Sequence, residues 1–298
     1  MLVLTSGGAD STCLLGVLAR IHDGPLLALA IDHGLRPEAA AECDLAEGSA
    51  ARLGVPALRR RLALAAGPGM QERAREARLA AAARTADEHE CAVIATGHTA
   101  SDQAETVLFR MARGTGRSGA LGMAARRGRL VRPLLGEARA DTRAWCEAAG
   151  LAYADDPTND DAAGARARVR HGLLPALLAV HPAAERHVAA LADDLADEAE
   201  LIDGLLEAAW ARAGGPGGLD AAALAAEPPA LARLLVRRLL GEAGLGGEAR
   251  SRAPVERVLS LARGERGATL DVPGGAVLLR EGRLTARAGG ERVPAGAA

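Results

Sequence analysis

The first 150 residues alternate short apolar runs with longer alanine-rich stretches at helical spacing, and no other feature constrains the fold as much. Four apolar runs are predicted as strands, at residues 2–5, 26–31, 57–62 and 91–96. Four stretches are predicted as helices, at residues 10–20, 38–53, 71–88 and 100–112. This order is typical of βαβ units, so we expect an α/β fold with a doubly wound parallel sheet. Functional residues should then lie at the carboxyl ends of the strands.

The rest of the chain predicts a second, smaller α+β domain. We expect one domain over residues 1–182 and an amphipathic connecting helix over 183–213, followed by the glycine-rich linker 214–218. Helices around 221–240 and 255–262 and a short β-meander then form the small domain, 219–288. Residues 289–298 are expected to be a frayed tail.

Composition excludes several kinds of chemistry. All 36 basic residues are arginine, so Walker-type lysine chemistry, Schiff bases and an enzyme lysine-AMP intermediate are excluded. Aromatic residues make up only 1% of the chain, too few for rows of rings that stack on bases. The four cysteines form no CxxC pair, so neither a zinc site nor a redox motif is predicted. No leader or apolar stretch of membrane length is visible, which predicts a cytoplasmic protein.

The first motif lies directly after the first predicted strand. Its residues are Ser6, Gly7, Gly8, Ala9, Asp10 and Ser11. Glycines allow a tight turn near an anion, and the helix that follows presents free N–H groups, so the motif predicts a phosphate cradle. Asp10 would hold a divalent cation that bridges the phosphates. The alternative is an ordinary turn with Asp10 and Ser11 as helix caps.

A second motif follows the fourth predicted strand. Asp102 and Glu105 are three residues apart at the start of a helix, so both carboxylates should point into the cleft above the sheet. Such a pair suits an ammonium group or a metal, and the alternative is compensation of the helix dipole. His98, at the end of the strand, would more often be structural than catalytic.

Two weaker motifs concern the second strand and a set of arginines. Asp32 and His33 close the second strand at the same edge of the sheet. Residues 110–143 carry a net charge of +7, from nine arginines and two acids. Further arginines follow at Arg166, Arg168 and Arg170. These arginines could line a phosphate backbone, and the alternative is a solvated surface with ion pairs.

These motifs together resemble a known family. SGGADS is similar to the pyrophosphate loop of the N-type ATP pyrophosphatases. The ordered set of IDHGLR, MQERAREARL, GHTASDQAETVLFRMARGTGRSG, RPLL and DDPTNDD with RARVRHGLLPAL resembles the tRNA(Ile)-lysidine synthases in their compact form. The resemblance covers nearly the whole chain. It implies a PP-loop catalytic domain over 1–182 and a small tRNA-binding C-terminal domain over 219–288.

The resemblance implies a two-step ligation on the wobble cytidine of the minor isoleucine tRNA, which has a CAU anticodon. ATP, with Mg²⁺, adenylates the oxygen on carbon 2 of the base and pyrophosphate leaves. The side-chain amine of free L-lysine then attacks that carbon, AMP leaves and lysidine is formed. The expected partners are therefore this tRNA and lysine, with no membrane, and a homodimer stays open.

The resemblance also implies residue roles. Asp10 matches the catalytic acid that acts with Mg²⁺, and Asp102 and Glu105 match the positions that hold lysine. The residues expected to meet ATP are Ser6 to Ser11, Asp32, His33, Arg75, Arg78 and His98. The residues expected to meet the adenylate or the tRNA are Arg113, Arg166, Arg168 and Arg170.

Four positions depart from the family pattern. Ser101 stands where many members carry an acid, Ala167 where an asparagine is usual, Gly164 where an aromatic residue is usual and Leu79 where tyrosine is common. A helix that precedes the first strand in relatives has no counterpart, so a start upstream of Met1 stays open. Two other functions remain open, a related enzyme that thiolates tRNA and an inactive tRNA-binding relative.

Overall fold

The computed structural model describes residues 1–32, 34, 38–62, 67, 70–114, 117–154, 164–264 and 267–289. The chain divides into two compact units, Met1–Ala196 and Asp197–Ala298. Several predictions fall outside the described residues, namely His33, the whole DDPTNDD segment at 155–161 and residues 290–298 of the tail. The described parts of each unit are treated separately below.

The first unit alternates strands and helices, as the sequence predicts. In chain order its elements are β1 (Leu2–Thr5), α1 (Ala9–Ile21), β2 (Leu27–Asp32), α2 (Glu38–Arg52), β3 (Ala57–Arg61), α3 (Met70–Glu88), β4 (Ile94–Ala95), α4 (Ala100–Ala112), α5 (Arg117–Ala120), β5 (Arg126–Arg127), β6 (Leu130–Val131), α6 (Arg139–Ala148), α7 (Ala165–Arg168), a π-helical turn (Val169–Leu173) and α8 (Leu174–Val180). Helix α9 (Ala184–Ala213) begins in this unit and ends in the second.

The six strands form one sheet in the order β3-β2-β1-β4-β6-β5. Every neighbouring pair is parallel except β5 with β6, which is antiparallel. Strand β1 lies at the centre, with β2 on one side and β4 on the other. The chain therefore reverses its direction of winding between β1 and β4, and ligands of open α/β sheets bind outside the carboxyl ends of the strands at this point.

Successive residues of the buried strands face opposite sides of the sheet. Val3 and Ala28 pack on one side with Leu14 and Leu15 of α1 and with Cys146 of α6. On the other side, Leu2, Leu29 and Ile94 pack with Ala82 and Ala86 of α3. Because both faces are covered, β1, β2 and β4 are apolar over most of their length instead of alternating with polar residues. The prediction of a doubly wound parallel sheet is confirmed.

The second unit is a small α+β structure. Its elements after α9 are β7 (Leu219–Asp220), α10 (Ala221–Ala226), α11 (Pro229–Glu242), α12 (Arg252–Ala262), β8 (Thr269–Val272), β9 (Gly275–Arg280) and β10 (Arg283–Ala288). The four strands form an antiparallel sheet in the order β7-β10-β9-β8. The predicted meander is therefore present, and the short strand β7 extends it.

The end of helix α9 belongs to the core of the second unit. Ala209, Trp210 and Ala213 are buried there with Leu235 and Leu284. The glycine-rich segment that follows is a tight turn, since a Cβ on Gly218 would lie only 2.5 Å from the Leu284 carbonyl oxygen. The segment predicted as a linker therefore packs closely against β10. Among the described residues, no helix is both long and apolar enough to cross a membrane.

Candidate active site

The turn between β1 and α1 is closed by the side chain of Ser11. The Ser6 N–H donates a hydrogen bond to Ser11 Oγ at 3.0 Å, and the two hydroxyl oxygens lie 3.1 Å apart. Ser11 Oγ in turn donates to the Gly8 carbonyl oxygen at 3.0 Å. Gly8 caps α1 without a side chain, so the first N–H groups of the helix face the turn. The predicted cradle thus has the donors that an anion requires.

Two glycines allow this turn to lie close to its neighbours. Gly7 has φ +78°, and a Cβ there would lie 2.4 Å from the Glu42 carbonyl oxygen. Gly97, which follows β4, lies against the start of α1, because its Cβ would be 2.9 Å from the Asp10 carbonyl carbon. The loops after β1 and β4 therefore meet at the point where the sheet reverses its winding.

Asp10 lies in the first turn of α1, and both of its carboxylate oxygens are in contact with α6. The Thr142 hydroxyl donates to Oδ1, and Arg139 Nε donates to Oδ2 at 3.3 Å. Burial raises the pKa of Asp10, although Thr142 and Arg139 oppose that shift. A partly buried carboxylate whose charge is costly gains from an additional cation.

Asp102 and Glu105 lie in the first turns of α4, as predicted. Asp102 Oδ2 accepts hydrogen bonds from the Thr99 N–H at 2.9 Å and from its hydroxyl at 3.1 Å, so one oxygen caps the helix. The other oxygen, Oδ1, accepts from Arg139 at 2.8 Å. Glu105, only 6% exposed, receives a bidentate pair from Arg170 at 2.6 and 2.8 Å. Compensation of the helix dipole, the alternative role, therefore explains the contacts of only one oxygen of Asp102.

Arg139 connects the two motifs. Its guanidinium contacts Asp10 at 3.3 Å, Asp102 at 2.8 Å and Glu105 at 3.6 Å. Burial disfavours its charge, but the three carboxylates outweigh burial and raise the pKa of Arg139. The phosphate turn and the paired acids therefore share one crevice. Asp102 and Glu105 both already pair with guanidinium groups. An ammonium group that binds there must therefore displace a guanidinium or share the carboxylates with it.

Sequence reasoning missed Arg139. It stands 129 residues from Asp10 and 37 from Asp102, in a segment without a recognisable pattern. The available signal was its place shortly after β6, whose carboxyl end lies at the same edge of the sheet.

Ser101, which departs from the family pattern, is buried beside Arg139. Ser101 accepts a hydrogen bond from the Arg139 N–H at 3.2 Å and donates to Glu185 at 2.5 Å.

His98 lies at the end of β4 and is neutral over the physiological range. Its Nδ1 is 2.9 Å from the Thr96 hydroxyl. Burial lowers the pKa of His98 to about 4, with Asp102 opposing the shift and Arg132, Arg75 and Arg78 adding to it. The imidazole is therefore available as a neutral hydrogen-bonding group.

The other predicted site residues make different kinds of contact. Asp32 Oδ1 accepts from the Gly34 N–H at 2.8 Å, which stabilises the turn after β2. The guanidinium groups of Arg113 and Arg166 each lie 5.4 Å from the Phe109 ring centre. Arg168 is exposed, whereas Arg170 forms an ion pair with Glu105. The charges of Arg75 and Arg78 of α3 contribute to the lowered pKa of His98.

None of the cysteines is among the predicted site residues, although the Cys146 thiol donates to the Ala9 carbonyl oxygen of the phosphate turn at 3.4 Å. All four are buried and free. Burial raises the pKa of Cys13 to about 12 and that of Cys146 to about 11, so both remain thiols. In the part of the chain that the structure describes, no group of three or more His, Cys, Asp or Glu side chains could hold a metal ion.

Fold and site together define an ATP-using PP-loop protein. The family model described as a PP-loop domain matches residues 1–177, and the TilS substrate binding domain matches residues 219–285. A solved structure with this fold is the U34-tRNA thiolase NcsA from Methanococcus maripaludis with its 4Fe-4S cluster. It aligns with a TM-score of 0.56 at 19% identity, over 65% of this chain and 70% of that chain, which shows the fold alone.

Relatives identify the family. A tRNA(Ile)-lysidine synthase from Thermobifida fusca is 37% identical over 92% of this chain and 87% of its own. One from Leifsonia xyli is 37% identical over 96% and 89%. One from Thermus thermophilus is 37% identical over 95% of this chain but only 55% of its own length. The chain belongs to the tRNA(Ile)-lysidine synthase family, an enzyme class of the PP-loop proteins.

Proposed function

We propose that this enzyme ligates free L-lysine to carbon 2 of the wobble cytidine of the isoleucine tRNA with a CAU anticodon. ATP first adenylates the cytidine and releases pyrophosphate, and lysine then displaces AMP to give lysidine. One observation carries the proposal. Arg139 joins Asp10, in the phosphate turn, to Asp102 and Glu105 in a single crevice. The groups that we propose for the two half-reactions therefore lie in one crevice.

The phosphate turn is the part that would bind ATP. The N–H groups at the start of α1 and the Ser6 hydroxyl would donate to the phosphate oxygens, and Ser11 would hold the turn through its hydrogen bond to Gly8. Asp10 would hold Mg²⁺, which binds proteins through one or two carboxylates and takes its other ligands from phosphates and water. A single carboxylate beside a phosphate cradle fits this requirement. When bound, the ion would neutralise charge on the separating phosphates.

Asp102 and Glu105 would hold the lysine amine. Two carboxylates that accept hydrogen bonds from one cation form the strong, charge-assisted contacts that an ammonium group needs. Arg139 and Arg170 already donate hydrogen bonds to both carboxylates before lysine binds. The incoming ammonium would take over hydrogen bonds that these guanidiniums now make. Released guanidinium groups would then be free to contact phosphate.

Arginines outside the crevice would bind the tRNA. Arg113 and Arg166 stack on Phe109, and Arg168 is exposed nearby on α7. Guanidinium groups of this kind contact phosphates and stack on unpaired bases, which matters in a chain that has few aromatic rings. The second unit, whose sequence matches a substrate-binding domain, would contribute further tRNA contacts.

Nucleoside analysis tests the proposal directly. Purified enzyme is incubated with the isoleucine tRNA, ATP and lysine, and the digested tRNA is analysed by mass spectrometry. We expect lysidine to replace one cytidine only when ATP and lysine are both present. A thiolated nucleoside in the presence of a sulfur donor would instead indicate the thiolase alternative. Unchanged tRNA despite tight tRNA binding would indicate an inactive relative.

A further inference from the structure

Arg132 follows strand β6 at the same edge of the sheet as the crevice. In the register of the parallel pair, Ala95 lies opposite Val131, so the next residues, Thr96 and Arg132, are neighbours. The Thr96 N–H donates to the Val131 carbonyl oxygen at 3.0 Å, which extends the pairing to this point. The Thr96 hydroxyl also contacts His98. Arg132 is therefore beside the loop that leads into Asp102 and Glu105.

The guanidinium of Arg132 is buried without a balancing charge. The residue is only 6% exposed. Its Nη1 donates to the Ala124 carbonyl oxygen at 2.5 Å, and its buried Nε has no hydrogen-bond partner. Within the described residues no carboxylate forms an ion pair with it. A buried cation in this condition is costly unless a ligand supplies the missing charge and acceptor.

Other positive charges act on Arg132. Burial and the charges of Arg75 and Arg127 lower the pKa of Arg132. The charges of Arg75, Arg78 and Arg132 also act on His98, and the charge of Asp102 acts on it with the opposite sign. Groups of both signs, Asp102 and these arginines, are therefore close to His98. A ligand with an ammonium group and a carboxylate matches this arrangement of charge.

We propose that Arg132 binds the α-carboxylate of the amino-acid substrate while Asp102 and Glu105 bind an ammonium group of the same molecule. The inference rests on the proposed function, since it assigns one end of the lysine substrate. Strand order supports it, because β4 and its acids lie between the phosphate turn of β1 and Arg132 on β6. The carboxylate end of lysine would then point away from the reacting phosphates.

The burial of Arg132 favours a small carboxylate over a phosphate of the tRNA as its ligand. A phosphodiester belongs to a bulky polymer, whose backbone contacts are made by accessible side chains. A guanidinium that is 6% exposed admits a small, free anion more readily than a polymer backbone. Two parallel N–H donors of a guanidinium also match the two oxygens of a carboxylate.

The test compares lysine with lysinamide, which lacks the negative charge, as substrates for lysidine-type product formation. We expect the wild-type enzyme to use lysinamide with a kcat/KM about 10- to 100-fold lower than that for lysine, because the amide has no negative charge and only one acceptor oxygen for the guanidinium. Arg132→Gln should raise the KM for lysine by a similar factor with kcat nearly unchanged. It should also remove most of the preference for lysine over lysinamide, whereas Arg132→Lys should keep part of it.

Arg84→Gln is the matched control, because Arg84 is an exposed arginine of α3. It should leave the KM for lysine and the preference for lysine over lysinamide unchanged. Equal use of lysine and lysinamide by the wild-type enzyme would overturn the inference even if Arg132→Gln folds poorly. A rise in the KM for tRNA instead of lysine would assign Arg132 to the polymer and also overturn it. Failure to form lysidine from lysine would instead reject the proposed function.

Discussion

A single guanidinium, that of Arg139, is shared by three carboxylates that come from two separate motifs. The sequence predicts Asp10, Asp102 and Glu105 because each belongs to a recognisable pattern at the end of a strand. It does not predict Arg139, whose partners depend on how α6 packs against α1. Patterns along the chain reveal groups that act with their neighbours in sequence. Pairing across a crevice appears only when the fold brings distant segments together.

The acids of α4 can be tested by removing their charges. In the double variant Asp102→Asn with Glu105→Gln, we expect the KM for lysine to rise about 10- to 100-fold, because the ammonium loses its charge-assisted hydrogen bonds. The KM for ATP should change little. Steady-state kinetics with varied lysine measures the effect. Asp87→Asn, which removes an exposed carboxylate paired with Arg129, is the control. An unchanged KM for lysine would contradict the role of these acids.

His98 predicts a dependence of stability on pH. Its pKa is about 4 in the folded protein and 6.5 in the unfolded chain, so between these values the unfolded chain binds more protons. Stability should therefore fall as the pH falls from 6.5 towards 4. At pH 5 the loss from this group is roughly 1–2 kcal/mol relative to pH 7.

Urea unfolding at pH 7 and pH 5 measures this loss. His98→Gln should lose less stability than the wild type between the two pH values. His89→Gln, which removes an exposed histidine, should behave like the wild type. If His98→Gln loses as much stability as the wild type, the imidazole is not kept neutral by burial.

Elements with strong periodicity are predicted well, and short ones are not. The sequence predicts β1, α2, α3 and α4 to within a residue or two. Strands β5, β6 and β7 have two residues each, too few to show any alternation. The π-helical turn Val169–Leu173, which carries Arg170 towards Glu105, leaves no local signature either. These elements are defined by tertiary contacts, so one sequence alone does not reveal them.

The loop after β4 must approach α1 closely for the site to form. We expect Gly97→Ala to reduce kcat/KM for ATP at least 10-fold, because its Cβ would lie 2.9 Å from backbone atoms of Asp10 and Ser11 and would shift the phosphate turn. Gly136→Ala is the matched control, since its Cβ would meet nothing within 4 Å. Both variants are assayed by pyrophosphate release at varied ATP. Equal activity of the two would show that this close approach is unimportant.

At the scale of the whole molecule, the division of the chain falls inside a helix. The sequence predicts α9 as a connection, and the structure assigns its residues from Asp197 onward to the second unit. The reason is the apolar set that includes Trp210, which is buried in that unit's core. Helical periodicity predicts that a face is apolar, but it does not say which unit covers the face.

Binding of tRNA should depend on salt through the exposed arginines. The double variant Arg166→Gln with Arg168→Gln should bind tRNA more weakly and reduce the slope of log K against log salt by about one for each phosphate that it no longer neutralises. Arg84→Gln, an exposed position on α3, serves as the control. Filter binding at several salt concentrations measures both quantities. An unchanged slope would mean that these arginines do not bind tRNA phosphates.

The central claim is that the phosphate turn serves adenylation and the acids of α4 serve lysine binding. Its most direct test is the exchange of labelled pyrophosphate into ATP, measured with tRNA present and lysine absent. The account predicts exchange by the wild type and by the variant with Asp102→Asn and Glu105→Gln, because adenylation of the cytidine does not use lysine. Asp10→Ala should show none, while its affinity for tRNA stays nearly intact. Exchange by Asp10→Ala, or its loss in the variant without the α4 acids, would contradict the account.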